Sequence, residues 1–121
     1  MFGNLKYYPS TNGVIDVLMG YNDSTNAIRW MTNLLYYFKT NLPQFQVWLQ
    51  SIPNSGSSPN ALAITNFNNY WPTNTSYYTK YIDHRGTPIT YSDSTHPDEN
   101  GHYVIYTNYI AKTSTNIPKV Y

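Results

Sequence analysis

A chain of 121 residues is long enough for one ordinary domain with a real core and too short for two. Charged residues make up 11% of it, far below the roughly 25% of an average soluble domain, so Asn, Thr, Ser and 14 Tyr must carry its hydration. The formal net charge of +1 comes from scattered Lys and Arg, which leaves no electrostatic footprint for nucleic acid or anionic lipid, and the absence of cysteine removes disulfides, thiol nucleophiles and thiolate metal sites together.

A surface built from neutral polar groups is the style of secreted, cell-wall and virion proteins, so an extracellular, cell-surface or virion-associated location is expected. The first nine residues contain no apolar h-region, so no signal peptide is recognised in this chain. Nowhere is there an apolar run of membrane length, so membrane insertion is not expected.

The first strong element is Val14-Ile15-Asp16-Val17-Leu18-Met19, bounded by Asn12-Gly13 and Gly20, and it reads as a strand. Apart from Asp16 it is apolar on both faces, which suits a parallel strand covered by helices on both sides. An α/β architecture follows. After Gly20-Tyr21-Asn22-Asp23-Ser24, a helical pattern runs from about Thr25 to Asn41. Ile28, Met31, Leu35 and Phe38 share one face, Leu34 and Leu42 lie close by, and Asp23 or Ser24 can serve as cap. Asn22 then sits at the carboxyl end of a strand, where open α/β sheets place their ligands. The same residues also read as a turn with a cap.

Gln44-Phe45-Gln46-Val47-Trp48-Leu49-Gln50-Ser51 alternates polar with apolar, so Phe45, Val47 and Leu49 face one way along a second strand. Strand, helix and strand make a parallel βαβ unit. The Ser- and Gly-rich loop from Pro53 to Asn60 is the expected flexible segment. Ala61, Leu62, Ile64 and Phe67 predict a helix broken at Trp71-Pro72, followed by a helical or irregular piece through Tyr77, Tyr78 and Tyr81. Thr87 to Tyr91 reads as a brief strand, and a last helix from about Pro97 to Thr113 buries Val104, Ile105, Tyr109 and Ile110.

Between them lies Asp93-Ser94-Thr95-His96-Pro97-Asp98-Glu99-Asn100-Gly101-His102. A carboxylate three residues before an imidazole on one tight loop can bond Nδ1, fix the tautomer and leave Nε2 free to take a proton. Asp93 would orient and His96 would act as base. The plainer reading is a helix start with Asp98 and Glu99 placed by the helix dipole.

The two blocks together resemble the SGNH (GDSL-type) hydrolases. Gly20-Tyr21-Asn22-Asp23 after a buried strand looks like the family's Gly-x-Asn-Asp block, Asp93-x-x-His96-Pro97 with Gly101-His102 looks like its last block, and Trp48 to Pro53 looks like its Pro-terminated strand end. The resemblance runs from about Val14 to Ile110. It implies an esterase acting on a carbohydrate O-acyl group or another small ester, with His96 as base, Asp93 as its orienter, Asn22 as an oxyanion donor and no cofactor.

The chain contains no Gly-Asp-Ser, the block that carries the family's nucleophile, and no counterpart of its second-block glycine. The likeness therefore covers the back two-thirds of such an enzyme. Residues 1–121 are expected to form a single partial SGNH hydrolase-like domain, with a flavodoxin-like three-layer α/β/α fold truncated at its N-terminal strands. In that strand order the missing first strand would lie beside the Val14-to-Met19 strand, and its loss leaves an edge open to pairing. A second chain carrying the missing units and the serine, a second copy of this chain, or residues 1–12 is expected to cover that edge.

The alternative is a non-catalytic structural or binding protein of a virion or cell surface that keeps the fold. His84 reads as a turn residue. His102 reads as helix packing, although with Asp93 and His96 it would make three residues able to ligate a metal. Ser24, Ser92 and Ser94 suit caps and loops better than a relocated nucleophile. The tyrosine pairs and the tryptophans fit core packing as well as a sugar-stacking surface, and Asn22 and Asn74 each open a glycosylation acceptor pattern.

Overall fold

The structure, a computed structural model, describes residues 13–114 apart from the side chains of Asp23 and Ser24. Strands β1 (Val14–Val17), β2 (Gln46–Gln50) and β3 (Lys80–Ile82) form one sheet in the order β1-β2-β3. Both ladders are parallel, with Asp16 in register with Trp48 and Trp48 with Lys80. Parallel neighbours need crossovers. Helix α1 (Ala27–Asn41) joins β1 to β2, α2 (Ala61–Tyr70) joins β2 to β3, and α3 (Glu99–Thr113) follows the last strand. The expected α/β architecture is the one the chain adopts.

Alternation along β2 divides the two faces of the sheet. Val47 and Leu49 are buried in one cluster with Met31, Leu35 and Phe38 of α1 and Ile64 and Phe67 of α2. Trp48 points the other way and meets Tyr109 of α3, with 6.4 Å between ring centroids. Helices α1 and α2 therefore cover one face and α3 the other. In α1 the spacing of Ala27, Met31, Leu35 and Phe38 makes one buried stripe, while Ile28 and Leu34 pack at its margin.

Helix α2 stops where Pro72 removes an N–H, and the chain tightens into a 3-10 turn, Trp71–Thr73. Trp71 is fully buried, and Phe67, Tyr70 and Tyr77 meet it edge-on at 5.9, 4.9 and 5.9 Å. Each such contact adds about 0.5–1.5 kcal/mol beyond the buried area. Part of the tyrosine content is thus core, whereas Tyr36, Tyr103 and Tyr106 are exposed.

Several local expectations are corrected. β1 ends at Val17, and Leu18 and Met19 are 44% and 54% exposed because they turn into a cleft rather than the core. The stretch around Tyr77 to Tyr81 is a 3-10 turn, Thr75–Tyr77, followed by β3. Residues 87–91 form a loop whose only ladder contact is an antiparallel bridge from Tyr91 to Pro97. Helix α3 starts at Glu99, and Val104, Ile105, Tyr109 and Ile110 are only half-buried because the helix lies on a partly polar sheet face. The N-cap of α1 is Asn26, reached through a 3-10 turn, Tyr21–Asn26, that already supplies helical backbone. No described helix is long and apolar enough to cross a membrane.

The loop expected to be flexible is braced instead. Asn54 donates to the Ala61 carbonyl and to Thr65 Oγ1, and Ser58 Oγ accepts the Asn60 N–H. Its root is fixed by Asn68, which is buried. Asn68 Oδ1 accepts the Ile52 N–H and its Nδ2 donates to the Ile52 carbonyl, each at 2.8 Å. Replacing Asn68 with leucine strands both groups away from water, at an expected cost of about 1–3 kcal/mol for each. A lower urea midpoint with an unchanged slope is the expected result.

Candidate active site

Two loops at the carboxyl ends of the strands build the site. After β1 the chain reverses at Gly20, whose φ of 112° is one that residues with a Cβ rarely adopt. It then enters the 3-10 turn that carries Asn22. Tyr21 holds this turn against the loop after β2, with its hydroxyl 2.5 Å from Ser58 Oγ and its carbonyl accepting from Asn60 Nδ2 at 3.3 Å. Asn22 is left exposed beside it.

The second loop lies between β3 and α3. The Ser92 N–H and Oγ both donate to the His96 carbonyl, at 2.9 and 3.1 Å, which closes the residues between them into a short loop. Inside it Asp93 Oδ1 accepts the N–H groups of Thr95 and His96, each at 2.7 Å. The His96 ring then falls against the same carboxylate, with Nδ1 2.9 Å from Oδ2 and 3.1 Å from Oδ1. An ionised carboxylate only accepts, so Nδ1 carries a proton, and in the neutral tautomer this leaves the lone pair on Nε2. The side chains of His96 and Asp93 are 73% and 56% exposed, so the pair opens to solvent.

The same donors act on the charge of Asp93. The His96 N–H, the His96 ring and the Thr95 N–H hold its carboxyl down at about 2, against an ordinary value of 3.8. Because the folded value lies below the unfolded one, the order this charge brings is complete above 3.8 and is lost as pH falls through about 2. A carbon-13 titration of the Asp93 carboxyl is expected to show its midpoint there.

The loop is anchored to α3. Asp98 caps that helix by accepting the Gly101 N–H at 2.7 Å, receives the Thr90 hydroxyl at 2.6 Å, and donates its own N–H to the Thr90 carbonyl at 3.1 Å. Ser55 Oγ, from the loop after β2, donates to the Ser94 carbonyl inside the Asp93 to His96 turn.

The two loops meet across one cleft of about 310 Å³ that both Asn22 and His96 line, with Leu18, Met19, Ile52 and Pro53 as apolar walls. That is the lower end of the size expected for a small-molecule site. The cleft thus brings together an imidazole whose Nδ1 is held by a carboxylate, an exposed side-chain amide and apolar walls. The hydroxyls lining the cleft are those of Tyr21 and Thr95; among the described residues no serine lines it.

The other residues singled out from the sequence go elsewhere. Ser92 bonds the His96 carbonyl and Ser94 lies 3.5 Å from Thr95 Oγ1, both within their own loop. The side chain of Ser24 and all of residues 1–12 lie outside the described residues. His102 is exposed while its neighbour Gly101 is the buried contact, so helix packing belongs to the glycine. No group of His, Cys, Asp or Glu able to hold a metal occurs among the described residues. Asn74 donates to the Tyr70 carbonyl at 2.6 Å.

His84 is the residue that sequence reasoning missed. It does open the turn at Arg85-Gly86, its carbonyl accepting the Thr87 N–H at 3.3 Å, but its side chain is 2% exposed with both ring nitrogens bonded, to Gln50 Oε1 at 2.7 Å and to Asn108 Nδ2 at 2.9 Å. The available signal was Gln50, a polar side chain at the buried end of β2 that needs a polar partner. No family model, curated protein or solved structure matches the chain.

Proposed function

We propose that residues 1–121 carry the base, its orienter and an oxyanion donor of an SGNH-type ester hydrolase, acting on a carbohydrate O-acyl group or another small ester. The observation that carries this reading is the shared cleft, in which His96, oriented by Asp93, and Asn22 come from two loops far apart in sequence and meet at the carboxyl ends of parallel strands. Acyl transfer needs such a set: a base to take the proton of the attacking hydroxyl and a fixed donor where negative charge grows on oxygen.

The strand order supports the same lineage. Removing the first two strands from the flavodoxin-like order 2-1-3-4-5 leaves three parallel strands in sequential order, which is the sheet seen here. It also leaves the outer edge of β1 open, and no described strand pairs with it. The nucleophilic serine comes, in this reading, from a missing segment outside residues 1–121 or from another chain seated along β1. The acylated surface glycans available to an extracellular or virion-borne protein are suitable substrates.

The absence of a lining serine favours a second reading, in which the fold persists as a non-catalytic structural or binding component of a virion or cell surface. Hydrolysis of a small aryl acetate by the protein from its natural source separates the two. Under the hydrolase reading Asn22→Ala lowers the rate by about 10²–10³-fold. Assembly or binding that persists without any ester hydrolysis selects the structural reading.

A further inference from the structure

We propose that His84 is a pH-sensitive latch: as a neutral imidazole protonated on Nε2 it locks α3 onto the sheet, and taking up a second proton releases α3 together with the loop that carries Asp93 and His96. The inference is independent of the chemistry proposed for the cleft.

The hydrogen bonds fix the tautomer one after another. Asp16 on β1 is a carboxylate and can only accept, so Gln50 on β2 directs Nε2 to Asp16 Oδ1, at 2.9 Å. Gln50 Oε1 is thereby turned toward His84 Nε2, which must donate. His84 Nδ1 is then an acceptor, and Asn108 of α3 supplies it with an N–H while giving its other N–H to the Asp83 carbonyl at 3.1 Å. The His84 backbone N–H completes the tie by donating to buried Ser51 Oγ at 2.8 Å.

A second ring proton finds no place in this chain. An Nδ1–H would point at the Asn108 amino group, donor against donor. Turning the Asn108 amide over would satisfy the ring but set Oδ1 against the Asp83 carbonyl, acceptor against acceptor. The first arrangement leaves a buried ring N–H unpaired and the second a half-buried carbonyl, against a cost of about 1–3 kcal/mol for a fully buried group. The bond that fails is the one joining the end of β3 to α3.

The charged and titratable groups around the ring come from three sides. Asp16 on β1 and Asp83 beside the ring favour the cation, and Lys112 on α3 opposes it. Arg85 is engaged with Asp83 at 2.8 Å, and Tyr109 of α3 has its hydroxyl pushed upward by burial and by Asp16. Burial of the ring is the largest influence and lowers its pKa below the ordinary 6.5. With the folded value below the unfolded one, the latch holds fully above 6.5 and fails as pH falls through the folded value.

The test is an NMR titration of the whole chain from about pH 8 to 5, the range in which histidine changes charge. It follows the ring nitrogens of His84 and the amide exchange of α3, corrected for the chemical exchange rate. The expected result is an Nε2–H tautomer at high pH, then an opening of α3 and residues 84–98 that increases about tenfold per pH unit while α1 stays protected, as one-proton linkage requires. His84→Gln can donate and accept at the same two points without titrating, and is expected to abolish the acid step. An Nδ1–H tautomer at neutral pH, protonation of His84 without loss of α3 protection, or the same step in His84→Gln would each overturn the proposal. If that variant does not fold, the wild-type titration decides alone.

Discussion

His96→Ala is expected to lower ester hydrolysis by about 10²–10⁴-fold, the usual contribution of a positioned general base. The stability of the fold is expected to stay nearly unchanged, because the ring is largely exposed and its partner Asp93 keeps the Thr95 N–H and the residue 96 N–H as donors. That separation of activity from stability is what marks a chemical role. Asp93→Asn tests the same pair from the other side. An amide can present either a donor or an acceptor to Nδ1, so the ring loses its fixed tautomer and the rate should fall while His96 remains in place. Equal activity in the native protein and in His96→Ala would show that His96 is not the base.

Gly101→Ala is the second large effect, and its sign is not the one helix propensity predicts. Alanine is preferred to glycine inside a helix by about 1 kcal/mol. Here a Cβ would lie 2.1 Å from the Thr90 carbonyl oxygen and 3.1 Å from Pro97 Cβ. The first of these is backbone and cannot swing aside, so either α3 lifts or the strands of the loop around Asp93 and His96 separate. Overpacking of this kind costs about 1–3 kcal/mol, enough to outweigh the propensity gain. A lower unfolding midpoint together with a changed His96 ring resonance is expected; a variant as stable as the native chain would show that the loop is not clamped between Thr90 and the helix.

The sequence made parts of this structure visible where the physics is local. Met31, Leu35 and Phe38 mark α1 because helical spacing repeats along a short stretch. Asp93 and His96 are three residues apart, so their pairing needs only a turn. Asn22 was placed because the end of β1 lies next to it. Where partners come from distant segments the signal was absent. β3 is three residues long and includes Lys80, whose ammonium lies 5.4 Å from the Trp48 ring, so it shows no run of apolar residues. His84 depends on Gln50, Ser51 and Asn108, which are brought together only by the sheet and α3. The braces on the 53–60 loop, among them Tyr21 to Ser58 and Ser55 to Ser94, are likewise long-range and looked from the sequence like mere turn composition.

These residues are proposed to complete an acyl-transfer site around a serine held elsewhere. The measurement that addresses this proposal most directly is labelling of the natural-source protein with a serine-directed fluorophosphonate, followed by mass mapping of the label. One labelled serine is expected, on a segment outside residues 1–121 or on a tightly bound second chain, with labelling lost in His96→Ala. An assembly made only of this chain that takes up no label and hydrolyses no aryl ester would contradict it.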